Sequence, residues 1–169
     1  MEQTTLQSPP KPKHKSFNYA TSVRWTGERN GLLNSAGKPE IRVSSPPEFK
    51  GLEGQWTPED LLVASVEICT MTTFIAFSLG KKLPLVSYES AATGTMEFGD
   101  GGYRFTRVVL RPVIVVENEQ AVPQAASILE EAHHACFIAN SICSQVVLEP
   151  TITSGKPCSS ENQFHPPSR

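Results

Sequence analysis

The stretch Thr57-Pro58-Glu59-Asp60-Leu61-Leu62-Val63-Ala64-Ser65-Val66-Glu67-Ile68-Cys69 decides how this chain is read. Thr57 is a good N-cap, Pro58 suits the first helical position, and Glu59 and Asp60 favour the positive end of the helix dipole. Asp60, three residues after Thr57, approximates a capping box with a shorter acid than usual. Leu62, Val66, Cys69, Thr73 and Ala76 recur at helical spacing, and Leu61, Ile68, Ile75 and Leu79 add a second apolar stripe. A helix apolar on most sides belongs deep in a core. It should stop near Gly80, where Lys81 and Lys82 suit the C-terminal end of the dipole.

Outward from this helix the pattern changes period. Upstream, Phe17, Tyr19, Thr21, Val23 and Trp25 alternate with polar or small residues, a strand signal. Gly27-Glu28-Arg29-Asn30-Gly31 reads as a turn, Leu32-Leu33 starts a second strand, and Glu40 to Ser44 supplies a third. Pro46 to Gln55 is a loop. Downstream, strands over about 85–98 and 103–117 are joined by Gly99-Asp100-Gly101-Gly102, a hairpin signal. A second helix starts near Ala121, with Pro123 early, and buries Ala125, Ile128, Leu129, Ala132, Cys136 and Ala139. A closing strand, Val146 to Ile152, completes an α+β domain.

At 169 residues, length allows about one domain. Six of the 14 prolines fall in residues 1–15 and 154–169, which lack apolar periodicity and read as flexible tails. The domain therefore occupies residues 16–153. A net charge of −2 gives no electrostatic case for nucleic acid or an anionic membrane. On the sequence reading no apolar run approaches a bilayer span of about 18–20 residues, and the N-terminus lacks the apolar stretch of a signal peptide. A cytoplasmic, reducing location is the expectation, where four cysteines are free, catalytic or metal-binding rather than paired for structure.

The second cysteine lies in Ala132-His133-His134-Ala135-Cys136-Phe137-Ile138-Ala139-Asn140-Ser141. If the two helices pack, Cys69 and Cys136 form an interior dithiol pair. An ordinary cysteine, with a pKa of about 8.5, is only about 3% thiolate at pH 7. Cys69 lies mid-helix, beyond the reach of the dipole, so activation needs a cation from elsewhere in the fold; without one it is an inert core side chain. A zinc site from Cys69, Cys136 and His133 is a further reading, although adjacent histidines on a helix point about 100° apart. Cys143 and Cys158 carry no context of their own.

Pro58-Glu59-Asp60-Leu61-Leu62 followed by Cys69 resembles the Pro-Glu-x-Leu helix of the OsmC/Ohr family, and Ala132-His133-His134-Ala135-Cys136 resembles that family's second cysteine helix. The likeness runs over about residues 17–153. It implies antiparallel sheets around two central cysteine-bearing helices in an intertwined homodimer, without a cofactor. It also implies a thiol-dependent peroxidase acting on organic hydroperoxides, with Cys69 as the peroxide-reacting thiol, Cys136 as the resolving thiol and an external dithiol as reductant. Arg29 is the match for the family's activating arginine. Glu59, ten residues before Cys69, would sit about 15 Å away and rotated by about 80° on one helix. It either improves the helix start or reaches the Cys69 of a two-fold partner. The chain departs from the family in having Phe137 where proline usually follows the second cysteine. That departure keeps open a non-catalytic protein of the same fold that binds a hydrophobic small molecule.

Overall fold

The computed structural model describes residues 15–155. The chain begins with a three-stranded antiparallel sheet of β1 (Ser22–Gly27), β2 (Asn30–Asn34) and β3 (Ile41–Ser44). Helix α1 (Pro58–Gly80) follows, then the hairpin β4 (Leu85–Gly99) and β5 (Gly102–Val116). Helix α2 (Val122–Ala135) leads to β6 (Gln145–Leu148) and β7 (Thr151–Ser154). The 4–5 hairpin turns on Asp100 and Gly101, both at positive φ, the backbone that a two-residue loop between twisted strands demands.

Two expectations about the strands are corrected. The first strand starts at Ser22, so Phe17 and Tyr19 lie outside it. The closing strand divides into β6 and β7 at Glu149-Pro150, since proline has no N–H for a ladder. Both pieces run parallel to β5, along the edge opposite β4, making this sheet mixed rather than antiparallel. The α2 crossover explains the direction, because it returns the chain to the end of the sheet from which β5 began.

α1 begins and ends where its caps predict. Thr57 Oγ1 accepts from the Asp60 N–H at 3.1 Å, while Asp60 Oδ2 accepts from the Thr57 N–H at 3.1 Å. Its buried residues, however, are Val66, Thr70, Phe74 and Ser78, a single i, i+4 row of which the expected stripes contained Val66 alone. This row faces two core clusters. One joins Phe74 to Ile114 and Val116 of β5 and to Ile128, Leu129 and Ala132 of α2; the other joins Val66 to Val108 and Leu110.

The rest of α1 is not deep in a core. Ile68 is 55% exposed and Leu79 is 76% exposed. Contrary to the sequence expectation, α1 has the length and composition of a bilayer span, with a mean hydropathy of 1.7, and only 22% of that apolar window is buried. It nevertheless packs against α2 and β4 and carries Glu67 near its middle, where a bilayer centre would exact a heavy desolvation penalty. The β1–β3 sheet is also uncovered: it supplies no residue to either core cluster, and Trp25 is 74% exposed. It joins the body through the Val43–Trp56 bridge and the Ser44 N–H donated to the Trp56 carbonyl at 2.9 Å.

Candidate active site

Helical spacing places Cys69 one step, about 100°, from Thr70 and hence on the flank of the buried row. It is partly accessible to solvent, whereas Cys136 has none of its surface exposed. Cys136 is not inside the second helix, as expected, but caps it. Its backbone turns out of the helix with ψ 113°, and the chain coils into a 3₁₀ turn over Ala139–Ser141. Asn140 makes the stop: its Nδ2 donates to the His134 carbonyl at 2.9 Å and its N–H to the Cys136 carbonyl at 3.0 Å. Carbonyls at a helix end need such donors.

This turn presses the Cys136 sulfur against α1. Sγ accepts from the Ala139 N–H at 3.5 Å and lies 3.6 Å from the Thr70 hydroxyl, within reach of its hydrogen. Burial pushes the Cys136 thiol up from its ordinary range, and the adjoining Cys69 thiol adds to the rise, while Ala139 and Thr70 oppose it. The fold thus brings Cys69 and Cys136 together as free thiols, one accessible and one hidden.

Glu59 and Arg29 are not brought to this pair within one chain. Glu59 sits in the first turn of α1, and its Oε2 is buried without a partner among the described residues. Arg29, at the β1–β2 turn, donates from Nη1 to the Phe49 carbonyl at 2.7 Å. Cys143 is exposed, and Cys158 lies outside the described residues, as do nearly all of both tails. The zinc reading is set aside: the described residues hold no group of three or more His, Cys, Asp or Glu placed to grip a metal. His133, the histidine of that reading, keeps Nδ1 buried without a partner among the described residues, while His134 points outward to Glu130, with 3.2 Å between Nε2 and Oε1.

Sequence reasoning missed Thr70 and a second polar feature on the far side of α1. A cleft of about 1180 Å³ opens between the loop after β3, the start of α1 and the β4–β5 hairpin. Phe49, Trp56, Tyr103 and Phe105 wall it, and Glu59 and Glu67 reach it from one helix face. Burial raises the Glu67 carboxyl above its ordinary value. Ser90 beside it opposes that rise without completing a well-formed hydrogen bond, for Glu67 Oε1 and Ser90 Oγ are both buried without a partner among the described residues. Tyr88 is pushed up to about 12, first by burial and then by the Glu67 charge, with Ser90 again opposing. Only the eight-residue interval from Glu59 to Glu67, two helical turns, hinted at this face. Cys69 does not line the cleft.

Comparison with known proteins matches residues 51–151 to the OsmC-like protein family. No curated protein matches the chain significantly. Among solved structures, an OsmC-like protein of unknown function from Vibrio cholerae superposes with a TM-score of 0.74 at 25% identity, covering 80% of this chain and 99% of that one. An organic hydroperoxide resistance protein OsmC from Legionella pneumophila gives 0.66 at 20% identity, covering 83% and 99%. A further Vibrio cholerae protein, described as an organic hydroperoxide resistance protein with captopril bound in one of its active sites, gives 0.61 at 22% identity, covering 84% and 96%.

Proposed function

The chain belongs to the OsmC-like family, and on that footing we propose that it is a cytoplasmic, homodimeric thiol peroxidase that reduces organic hydroperoxides. The observation that carries this reading is the asymmetric pair, an accessible Cys69 beside a buried Cys136. The Cys69 thiolate attacks the O–O bond, an alcohol leaves, and the sulfur becomes a sulfenic acid. Cys136 then displaces the hydroxyl as water and closes a disulfide. An external dithiol reopens it by two exchange steps and is itself oxidised to a disulfide.

Activation of Cys69 is assigned to a second copy of the chain. The uncovered apolar flank of α1 and the bare β1–β3 sheet support a partner that buries both. That partner would bring Arg29 as the cation and Glu59 as its positioning carboxylate, a pairing that the unpartnered Glu59 Oε2 supports. The test is to add one equivalent of an organic hydroperoxide to the reduced protein and count thiols. Loss of two thiols per chain, with a Cys69–Cys136 disulfide in the peptide map, is expected. Unchanged peroxide consumption by Cys69→Ser would overturn the assignment.

A second reading is a non-catalytic binding protein for a hydrophobic small molecule. The aromatic cleft favours it, since Cys69 takes no part in its walls. It predicts an apolar compound retained through purification and a Cys69 that alkylates no faster than a free thiol.

A further inference from the structure

On the peroxidase reading above, we infer that Thr70 is a catalytic residue of the resolving step: its hydroxyl stabilises the Cys136 thiolate at the moment it attacks Cys69. Thr70 stands in the buried row between Val66 and Phe74, has no exposed surface, and a valine of the same shape would fill its place. A buried hydroxyl in such a row carries a desolvation cost unless it is bonded. Thr70 Oγ1 has one hydrogen and two acceptors, the Val66 carbonyl at 3.0 Å and the Cys136 sulfur at 3.6 Å. Thr72 and Thr73 also bond back to carbonyls of their own helix, but neither reaches a sulfur.

Two acceptors for one hydrogen make a switch. While Cys136 is a neutral thiol, the Thr70 hydrogen rests on the Val66 carbonyl and its lone pair faces the S–H. When Cys136 ionises, the hydrogen swings onto the sulfur and joins the Ala139 N–H as a second donor. Water cannot replace it, because Cys136 has no exposed surface. The step balances: the Cys136 thiolate forms the S–S bond, the Cys69 S–O bond breaks, and the departing hydroxide takes up the proton that Cys136 gave up. In the reverse sense, a dithiol attacks the accessible Cys69 sulfur and expels Cys136 as the stabilised thiolate.

The experiment compares the full-length wild type with Thr70→Val and Thr70→Ser. After one equivalent of organic hydroperoxide, dimedone trapping of the Cys69 sulfenic acid competes with disulfide closure, and the closure rate is followed against pH. Thr70→Val is expected to move the pH midpoint of closure up by about one unit, because a hydrogen bond to the charged form lowers a pKa. At neutral pH that leaves about tenfold less thiolate. A more basic sulfur offsets part of this, so closure slows about threefold and dimedone adduct accumulates. Thr70→Ser should restore both midpoint and rate. An unchanged profile in Thr70→Val, or equal impairment of the valine and serine variants, overturns the inference.

A second measurement separates this from the peroxidase reading. The Cys69–Cys136 disulfide can be made with diamide and its reduction by dithiothreitol timed. If the wild type ignores hydroperoxide, yet reduction slows several-fold in Thr70→Val and recovers in Thr70→Ser, the peroxidase reading falls and the role of Thr70 at the sulfur stands. Equal reduction rates in all three proteins overturn that role.

Discussion

Val63 of α1 sits directly on Gly94 of β4, where a Cβ would lie 2.5 Å from Val63 Cγ2 and 2.7 Å from Phe105 Cε1. The missing side chain lets the cysteine-bearing helix lie flat on the long hairpin. Gly94→Ala should therefore destabilise the protein by about 1–3 kcal/mol through overpacking. Urea unfolding checks this, and combining Gly94→Ala with Val63→Ala should recover part of the loss, since the clash with Val63 disappears while that with Phe105 stays.

The start of α1 depends on reciprocal bonds between Thr57 and Asp60, with Thr57 buried. Thr57→Ala removes the cap and should cost about 1–2 kcal/mol. Thr57→Ser should retain most of the stability, because the hydroxyl persists. Thermal unfolding of the three proteins provides the comparison.

Burial holds the Glu67 carboxyl above the ordinary value of 4.5. Between 4.5 and the higher folded value, the folded chain binds more protons than the unfolded one, so this group's contribution to stability falls as pH rises through that window. Above the folded value the penalty is constant. Glu67→Gln should flatten that segment of the stability–pH curve and leave the protein more stable than wild type at neutral pH. A Glu67→Gln curve parallel to wild type from pH 4 to 7 would refute the account.

Cys136→Ser should leave the first reaction with hydroperoxide intact but remove closure. One thiol per chain is then consumed, and excess peroxide should drive Cys69 to sulfinic and sulfonic acids. Intact mass spectrometry distinguishes these products from the disulfide formed by wild type.

Ile68, 55% exposed on the apolar flank of α1, is assigned to the contact between copies. Ile68→Lys places a charge there and should convert the proposed dimer to monomer at micromolar concentration, a weakening of about a hundredfold, or about 2.7 kcal/mol. Sedimentation velocity reads the state directly. On the proposed arrangement, in which the second copy carries Arg29 and Glu59 to the thiol, peroxide consumption should fall with it.

Local chemistry made much of the fold legible. Thr57-Pro58 and Gly80 bound α1 because caps act within one turn, and Asp100-Gly101 marked the hairpin because few other pairs accept two positive φ angles. Non-local features were less visible. The row Val66-Thr70-Phe74-Ser78 hid inside a helix apolar nearly all round, where periodicity cannot identify the face that β5 and α2 cover. The end of α2 was missed because the usual proline is absent and the stop comes from Asn140, four residues beyond Cys136. Even so, the pairing of Cys69 with Cys136 was readable as a possibility from two cysteines on apolar segments. The hydroxyl beside them was not, since threonine in a helix ordinarily bonds back to its own backbone.

The zero exposure of Cys136 has a consequence for how this molecule ages. Reagents from solution meet Cys69 before that sulfur, so within the pair oxidative damage falls first on Cys69. A chain whose Cys69 has been over-oxidised will therefore still carry a pristine Cys136.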